Sequence, residues 1–350
     1  MGAELKVAVL GATGYSGLEL TRLLLRHPRV DKPVLLSRGN EADPSPSMNL
    51  ADVFPVLSGN GRYPLQPLSW SSLKQQGVGL LFLATPHEAS RSLVPQAIAS
   101  GLRVIDLSGA WRLKYERHRA VYGFKDENAV TAADLTERAV YGLPELNADQ
   151  IPAAALVANP GCYATSVILA LAPLLKADLV DREHGIISDS KSGVSGAGKE
   201  PTSKTHFVAV ADNFSAYAVF HHRHVGEMVE QLGLGASELI FTPHLLPIPR
   251  GILSTIYVQL KREMKAAEVE ICFREFYGGK RWVRVFATPN LPQIHFSLHT
   301  NYCDLGFCLA EDGRRLVLVS CIDNLVKGAA GQAVQNMNLM YGWNEEEGLQ

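Results

Sequence analysis

The sequence has no long apolar run. Its most hydrophobic stretches, 78–84 and 167–175, are too short to cross a bilayer, which takes about 20 residues in a helix. Nor is there a block of one charge: 33 Lys and Arg stand against 35 Asp and Glu, a formal charge of -2. The basic residues are scattered, which argues against nucleic acid or an anionic membrane surface as partner. Cysteine is scarce, five in 350 residues at 162, 272, 303, 308 and 321, with no CxxC pair and no disulfide framework. The opening residues 1–6 carry no charged leader or apolar core, so no secretion signal is read and a reducing, cytoplasmic setting is expected. With 47% hydrophobic and 19% charged residues, the chain has the profile of a compact protein long enough for two domains.

What the chain does contain is concentrated in a few short stretches. In Asn159-Pro160-Gly161-Cys162-Tyr163-Ala164-Thr165, a turn delivers one cysteine just before the apolar run 167–175, which reads as a buried helix kinked or ended at Pro173. The partial positive charge at a helix N-terminus favours thiolate over thiol, so Cys162 is a candidate nucleophile. A lone cysteine beside an apolar helix also suits a small buried hydrophobe, and this stretch alone does not separate the two.

A dinucleotide site is signalled at the start of the chain. A buried-strand pattern at 6–10 is followed by Gly11-Ala12-Thr13-Gly14-Tyr15-Ser16-Gly17 and an amphipathic run at 18–26, a strand, glycine turn and helix in the form GxxGxxG. Gly11 suits the tight turn, Gly14 the approach of backbone to a pyrophosphate, and Gly17 close packing of helix on strand; the helix start offers unpaired N–H groups. The second strand, 33–36, ends at Ser37-Arg38 where an NAD site usually carries an acidic residue. A hydroxyl and a guanidinium suit a 2′-phosphate, so NADPH/NADP is the expected cofactor; a solvated loop arginine is the plain alternative. Further buried strands at 79–84 and 103–107 end near His87, Ser108 and Arg112. Strand alternating with helix predicts a parallel sheet whose strand C-termini face the ligand crevice. His87 reads as a cap or loop residue and Arg112 as a possible holder of carboxylate or phosphate. The stretch 115–136 has no clear pattern, and 139–147, with Tyr141-Gly142-Leu143-Pro144-Glu145, reads as a structured turn.

Beyond the helix, 185–191 reads as a strand running into Ser192-Gly193-Val194-Ser195-Gly196-Ala197-Gly198-Lys199, whose composition suits an anion nest of backbone N–H groups or a flexible linker. His222 and His224 would share one face of an extended segment and are candidate bases. No further ligand pair at metal spacing follows, so no metal is expected. Strand patterns at 252–260, 282–286, 302–310 and 316–321, without regular crossover helices, predict a mixed or antiparallel sheet in a second domain. A last helix, opened by Asp323-Asn324 and rich in small residues to about 341, is expected to return to the nucleotide domain, and the tail 344–350 to fray.

Taken together these stretches resemble the N-acetyl-gamma-glutamyl-phosphate reductase family, related in fold to aspartate-semialdehyde and glyceraldehyde-phosphate dehydrogenases. The resemblance covers essentially the whole chain. It rests on GATGYSG at 11–17, Ser37-Arg38, YGLPE at 141–145, NPGCYAT at 159–165, SGVSGAG at 192–198, HRH at 222–224 with Glu227, and DNLVKGAAGQA at 323–333. Gly226, where the family often has proline, and Trp111, where an aspartate commonly stands, are departures; the second bears on how Arg112 is aimed.

The resemblance implies an α/β chain: a Rossmann-type NADP-binding domain at 1–158, completed by 324–350, and an α+β catalytic and dimerisation domain at 159–323. It implies NADPH-dependent reduction of an acyl phosphate through a Cys162 thioester in arginine biosynthesis. His222 is then the first choice of acid/base and His224 an orienting group. The cofactor would lie on Gly11, Thr13, Gly14, Tyr15, Ser16, Gly17, Ser37, Arg38, Ser192, Gly193 and Asn324, and the substrate on Arg112, Ser192, Lys199 and Arg250. A homodimer or homotetramer built through the second domain's sheet is implied as well. Two rival readings stand beside it: the same chemistry on a carrier-bound or N-acyl aminoadipyl phosphate of lysine biosynthesis, and a non-catalytic NADP-sensing module that would have no need of Cys162 with the histidines.

Overall fold

A computed structural model of the chain describes residues 4–37, 48–59 and 61–350. Two compact units emerge, one comprising the chain up to Lys114 with Tyr122–Asn159 and Ala330–Gln350, the other Tyr115–Val121 with Pro160–Ala329.

The first unit is built on seven strands, β1 (Val7–Leu10), β2 (Val34–Ser37), β3 (Leu65–Pro67), β4 (Leu80–Leu83), β5 (Arg103–Asp106), β6 (Val140–Tyr141) and β7 (Leu156–Ala158). They lie in the order β3-β2-β1-β4-β5-β7-β6, every pair parallel. β1 and β4 are buried along their whole length, which is why VAVL and LLFL show no polar alternation: crossover helices cover both faces of a parallel sheet. The strand order turns back between β1 and β4, and helix Tyr15–Leu24 starts at the carboxyl end of β1. In such sheets that reversal is where a ligand crevice opens.

The final helix, Gly331–Met340, belongs to this unit and packs on helix Tyr15–Leu24. Its polar residues are not a solvated face. Gln332 and Asn336 donate to Gly142 O, and Gln335 donates to Glu145, so the YGLPE turn is what this helix docks on. The tail departs from the expected fraying. Asn338 donates to Glu345 O and Glu347 O, Arg29 pairs with Glu347 at 2.5 Å, and Leu349 is buried, because the segment covers the apolar side of His27. The stretch 115–136 resolves into short helices, the longest being Ala129–Arg138, with Asn128 as its N-cap.

The second unit carries β8 (Ile186–Gly193), β9 (Ser215–Ala216), β10 (Leu239–Leu246), β11 (Ile252–Gln259), β12 (Val283–Val285), β13 (Cys303–Leu309) and β14 (Arg315–Ile322). The sheet is mixed, in the order β12-β13-β14-β11-β8-β10-β9. β8 and β11 alternate buried with more exposed residues, as strands with one covered face do. Helix Cys162–Lys176 is the cover, buried without interruption over 163–175, and helix Ala266–Phe276 packs on it. This helix runs through Pro173 rather than ending there. Proline lacks the N–H that would bond the carbonyl four residues back, Leu169 O, and the Tyr277 hydroxyl donates to that carbonyl instead.

Candidate active site

The Pro-Gly turn opens helix Cys162–Lys176 with Gly161 as its N-cap and no cap from the Gly161 side, so the positive end of the helix dipole lies beside the thiol of its first residue. Two glycines make room at this turn, Gly328 for Cys162 and Gly161 for His224. A Cβ on Gly328 would lie 2.7 Å from the Cys162 Cβ, and one on Gly161 would lie 2.5 Å from the His224 Nε2. Gly328 sits in a π-helical turn, Val326–Ala330, in which its N–H bonds Asp323 O at 2.9 Å. Such turns recur at functional sites because the extra residue displaces the backbone locally.

The two histidines do not share the face of a strand. They lie in a turn that leads into helix Val225–Leu232, with His224 as its N-cap and their rings 4.7 Å apart, edge to face. His224 lies against Gly161, and the carboxylate of Glu227, wholly buried, is 4.0 Å from its Nε2. That carboxylate also accepts the Gly161 N–H at 2.8 Å, so Glu227 holds both the turn and the ring over it. His222 is ringed by Tyr163, Tyr217 and Phe241, and its Nδ1 accepts the His224 N–H at 3.2 Å. Burial, aided by His224 and Arg223, pushes its pKa down to about 2. One ring nitrogen of His222 is thus engaged by main chain and the ring is enclosed by aromatic side chains, an environment different from that of His224, which lies against Gly161.

The depressed value has a consequence for stability. A histidine that titrates at 6.5 when unfolded and near 2 when folded contributes stability that is full above 6.5 and is lost as pH falls from there toward about 2. Thermal melts at pH 7 and pH 5 should therefore show a larger loss for wild type than for His222→Asn. Equal losses would mean that His222 is not held neutral.

Tyr163 and Tyr217 complete this wall. The Tyr217 hydroxyl donates to Tyr163 at 3.3 Å, and Tyr163 donates to His244 O at 3.0 Å. Burial raises the pKa of both phenols, that of Tyr217 to about 12, so they stay protonated donors.

The stretch after β8 is neither a linker nor an open nest. Val194–Ala197 forms a short 3-10 turn pinned by Val194 N–H to Ile248 O and Ser195 N–H to Pro249 O, and a Cβ on Gly193 would meet the Arg250 backbone at 2.6 Å. Asn324 is buried and bridges the turns, accepting the Gly251 N–H at 2.7 Å and donating to Ser195 Oγ at 2.9 Å. Ser192 is likewise buried, its hydroxyl on Gly193 O at 3.0 Å, whereas Lys199 is exposed. The Arg250 guanidinium is held by the buried Asp323 carboxylate at 3.1 Å and meets His299 Nδ1 at 3.2 Å. Asp323 also accepts N–H groups from His299, Leu325 and Val326. Asp323, Glu227, Tyr163 and Gly328 stand inside the sequence motifs without a role that the motifs themselves supply, and Tyr217 lies outside every motif. Only Asp323, an Asx residue opening a helix, left a local signal.

In the first unit, Gly11 has φ +96, and a Cβ there would lie 2.3 Å from Ala84 O; a Cβ on Gly17 would lie 2.1 Å from Gly11 O. Both glycines are obligatory for the crossing of turn, helix and β4. Gly14 is the N-cap of a helix with no side-chain cap, with the partly exposed Thr13, Tyr15 and Ser16 around it. Ser37 ends β2, and Arg38 lies outside the described residues. Arg112 has different partners from those expected. It is buried, and its guanidinium donates to Asn159 O and Leu107 O, each at 2.7 Å, tying the ends of β5 and β7 together. His87 begins helix His87–Ala99 and packs on Tyr122 and Phe124. Among the described residues no group of His, Cys, Asp or Glu is arranged to hold a metal, and no helix is long and apolar enough to cross a membrane.

Comparison with known proteins agrees with this architecture. Residues 6–154 match the family "Semialdehyde dehydrogenase, NAD binding domain" and residues 162–324 match "Semialdehyde dehydrogenase, dimerisation domain". Solved structures of the same fold include aspartate semialdehyde dehydrogenase II from Vibrio cholerae, with TM-score 0.71 and 19% identity over 97% of this chain and 99% of that one. The aspartate semialdehyde dehydrogenase with NADP from Candida albicans follows at TM-score 0.68 and 15% identity, over 97% and 99%. Much nearer in sequence are proteins named N-acetyl-gamma-glutamyl-phosphate reductase. That of Desulfotalea psychrophila is 44% identical over 99% of this chain and 98% of its own, and that of Bacillus subtilis 40% over the same shares. At such identity along the full length, the chain belongs to the N-acetyl-gamma-glutamyl-phosphate reductase family.

Proposed function

We propose that the chain catalyses the NADPH-dependent reduction of N-acetyl-gamma-glutamyl phosphate to N-acetyl-glutamate semialdehyde and phosphate, a step of arginine biosynthesis in the cytoplasm. The observation that carries the reading is Cys162 at an uncapped helix start, with the His224 ring lying on the preceding glycine. The names of the full-length relatives supply the substrate.

The described residues fit the dinucleotide. The Gly11–Gly17 turn is closed to side chains at both ends, and the uncapped helix start offers N–H donors to a pyrophosphate. Ser37, the last residue of β2, carries the hydroxyl we assign to the 2′-phosphate. When bound, NADPH supplies the hydride that takes the acyl group to the aldehyde level. The chain's own part is covalent and acid–base chemistry. The Cys162 thiolate attacks the acyl carbon, phosphate leaves, and a thioester remains on sulfur. His224, steadied by Glu227, takes the thiol proton and is placed to return a proton as the aldehyde is released. Arg250, fixed by Asp323, is the cation we assign to the anionic substrate. Asn324, Ser192 and Gly193 shape the turn around it; Arg112 acts on the backbone before the cysteine; Lys199 lies at the exposed end of the turn.

A panel of semialdehydes assayed with NADP and phosphate tests the reading. N-acetyl-glutamate semialdehyde should be oxidised far faster than aspartate semialdehyde or N-acyl aminoadipate semialdehyde. A preference for the longer substrate would move the assignment to the lysine-pathway chemistry, and no oxidation of any member would favour a sensor.

The second unit matches a dimerisation domain, and we assign the pairing surface to the uncovered face of its sheet. Ile187, Ile240 and Tyr257 are each at least 40% exposed there, and a hollow of about 560 Å³ is lined by Ile187, Tyr257, Cys308 and Val317. Exposed aromatic and branched residues on a continuous face mark an association site. Sedimentation of a Tyr257→Glu, Ile187→Glu variant should show a smaller species than wild type. An unchanged oligomer would place the contact elsewhere.

A further inference from the structure

Beneath the helix that carries Cys162 the core holds a row of serines. Ser190 of β8 is in register with Ser254 of β11, and Ser254 with Ser320 of β14, so three hydroxyls line up across three neighbouring strands. Ser166, four residues along the helix from Cys162, sets its Oγ among them, 2.9 Å from that of Ser254 and 3.0 Å from that of Ser320. Ser190 Oγ is 2.7 Å from Ser254, Ser188 Oγ is 3.2 Å from Ser190, and the Cys303 sulfur is 3.5 Å from Ser320. All five serines are fully buried.

Such a cluster is not needed to hold the fold together. The serine hydroxyls are satisfied mainly by one another, each brought out of water with its partner, and replacing both partners of such a bond by apolar groups of similar shape can be nearly neutral. What the cluster adds is direction. The helix is apolar and buried along 163–175, and although its close packing on the sheet already restricts it, the hydrophobic driving force itself has no preferred direction. Hydrogen bonds have a preferred length and angle and supply one. At the site itself the tolerance is small: the Cys162 Cβ faces Gly328 where even one added carbon would not fit. Nucleophiles misplaced by about 1 Å lose on the order of a hundredfold in rate.

We propose that Ser166, seated on the Ser190–Ser254–Ser320 row, is a positioning residue that fixes the depth of the Cys162 helix and so the reach of its thiol. This rests on the reading of Cys162 as nucleophile but not on the identity of the substrate.

The test compares wild type with Ser166→Ala and with a variant in which Ser166, Ser190, Ser254 and Ser320 are all alanine. Three quantities are followed: kcat and KM, melting temperature, and the pH dependence of Cys162 alkylation by iodoacetamide, with the modified peptide identified by mass. In the all-alanine variant kcat should fall about tenfold with KM unchanged, melting should stay level or rise, and the alkylation midpoint should move. Ser166→Ala should move in the same direction and carries the test if the multiple variant does not fold. A folded variant with kcat within twofold of wild type and an unmoved alkylation profile overturns the proposal. So does a loss of rate that merely tracks loss of folded protein. Alkylation needs no substrate, so a moved profile stands even if the assigned reaction proves wrong.

Discussion

Cys162→Ser should abolish turnover, with a loss on the order of a thousandfold or more in kcat, while leaving NADPH affinity within about twofold of wild type. The expectation follows from the place of this side chain. It is the first residue of a buried helix, at an uncapped N-terminus, against Gly328 on one side and beside the Gly161–His224 contact on the other. Serine is nearly isosteric, so the helix, the π-helical turn and the wall of tyrosines should be undisturbed. An alcohol at the same place lacks the low pKa that makes a thiolate available near neutrality. A direct form of the experiment omits the cofactor. Wild type mixed with acyl phosphate should release one equivalent of phosphate per site and gain the mass of the acyl group on the peptide bearing Cys162; the serine variant should do neither. Phosphate-dependent oxidation of the semialdehyde by Cys162→Ser within tenfold of wild type would rule out the thioester.

The second large effect is at His224. His224→Asn should lower kcat by about 10² to 10⁴ at saturating substrate, the usual weight of a positioned acid/base, whereas His222→Asn should cost about tenfold or less. The geometry behind this is asymmetric: His224 lies on the turn that bears the nucleophile and is backed by Glu227, while His222 is enclosed by aromatic rings and bonded to main chain. The pH profile separates them further. With its pKa pushed down to about 2, His222 contributes no inflection to kcat/KM near neutrality, so His222→Asn should leave the shape of the wild-type curve intact. A larger kcat loss at 222 than at 224 would reverse the roles.

The parts of this molecule that could be read from its sequence are those in which a local pattern has one physical meaning. β1 and β4 are short, wholly apolar and followed by turns, and they stand in a parallel sheet covered on both faces. The glycines at 11 and 17 are needed because of backbone contacts that no side chain would survive, and glycine spacing carries that information. β10 was not legible, because Pro243 within it argues against a central strand, yet it lies between β8 and β9. Helix Ala266–Phe276 has no sequence motif to mark it, and the start of helix Val225–Leu232 is masked by the histidines before it, whose spacing also suits an extended segment.

Site roles divided along the same line. Cys162 could be singled out because the turn and helix that position it are adjacent in sequence. The separate duties of His222 and His224 depend on what surrounds each ring, and those neighbours come from 161, 163, 217 and 241. Arg112 is a similar case. A guanidinium at a strand end reads as a ligand holder, and its bonds to the carbonyls of Leu107 and Asn159 are seen only in the fold. The serine row was invisible for a simpler reason: each serine is unremarkable alone, and only strand register brings 190, 254 and 320 into line.

The bond from Tyr277 to Leu169 O has a corollary. A proline at 173 and a hydroxyl at 277 are harmless together, but each loses its justification without the other. Tyrosine replaced by phenylalanine strands a buried carbonyl, and proline replaced by alanine leaves the phenol competing with a restored amide. The two positions, 104 residues apart, are therefore coupled through one carbonyl, so Tyr277→Phe should cost less in a Pro173→Ala background than alone.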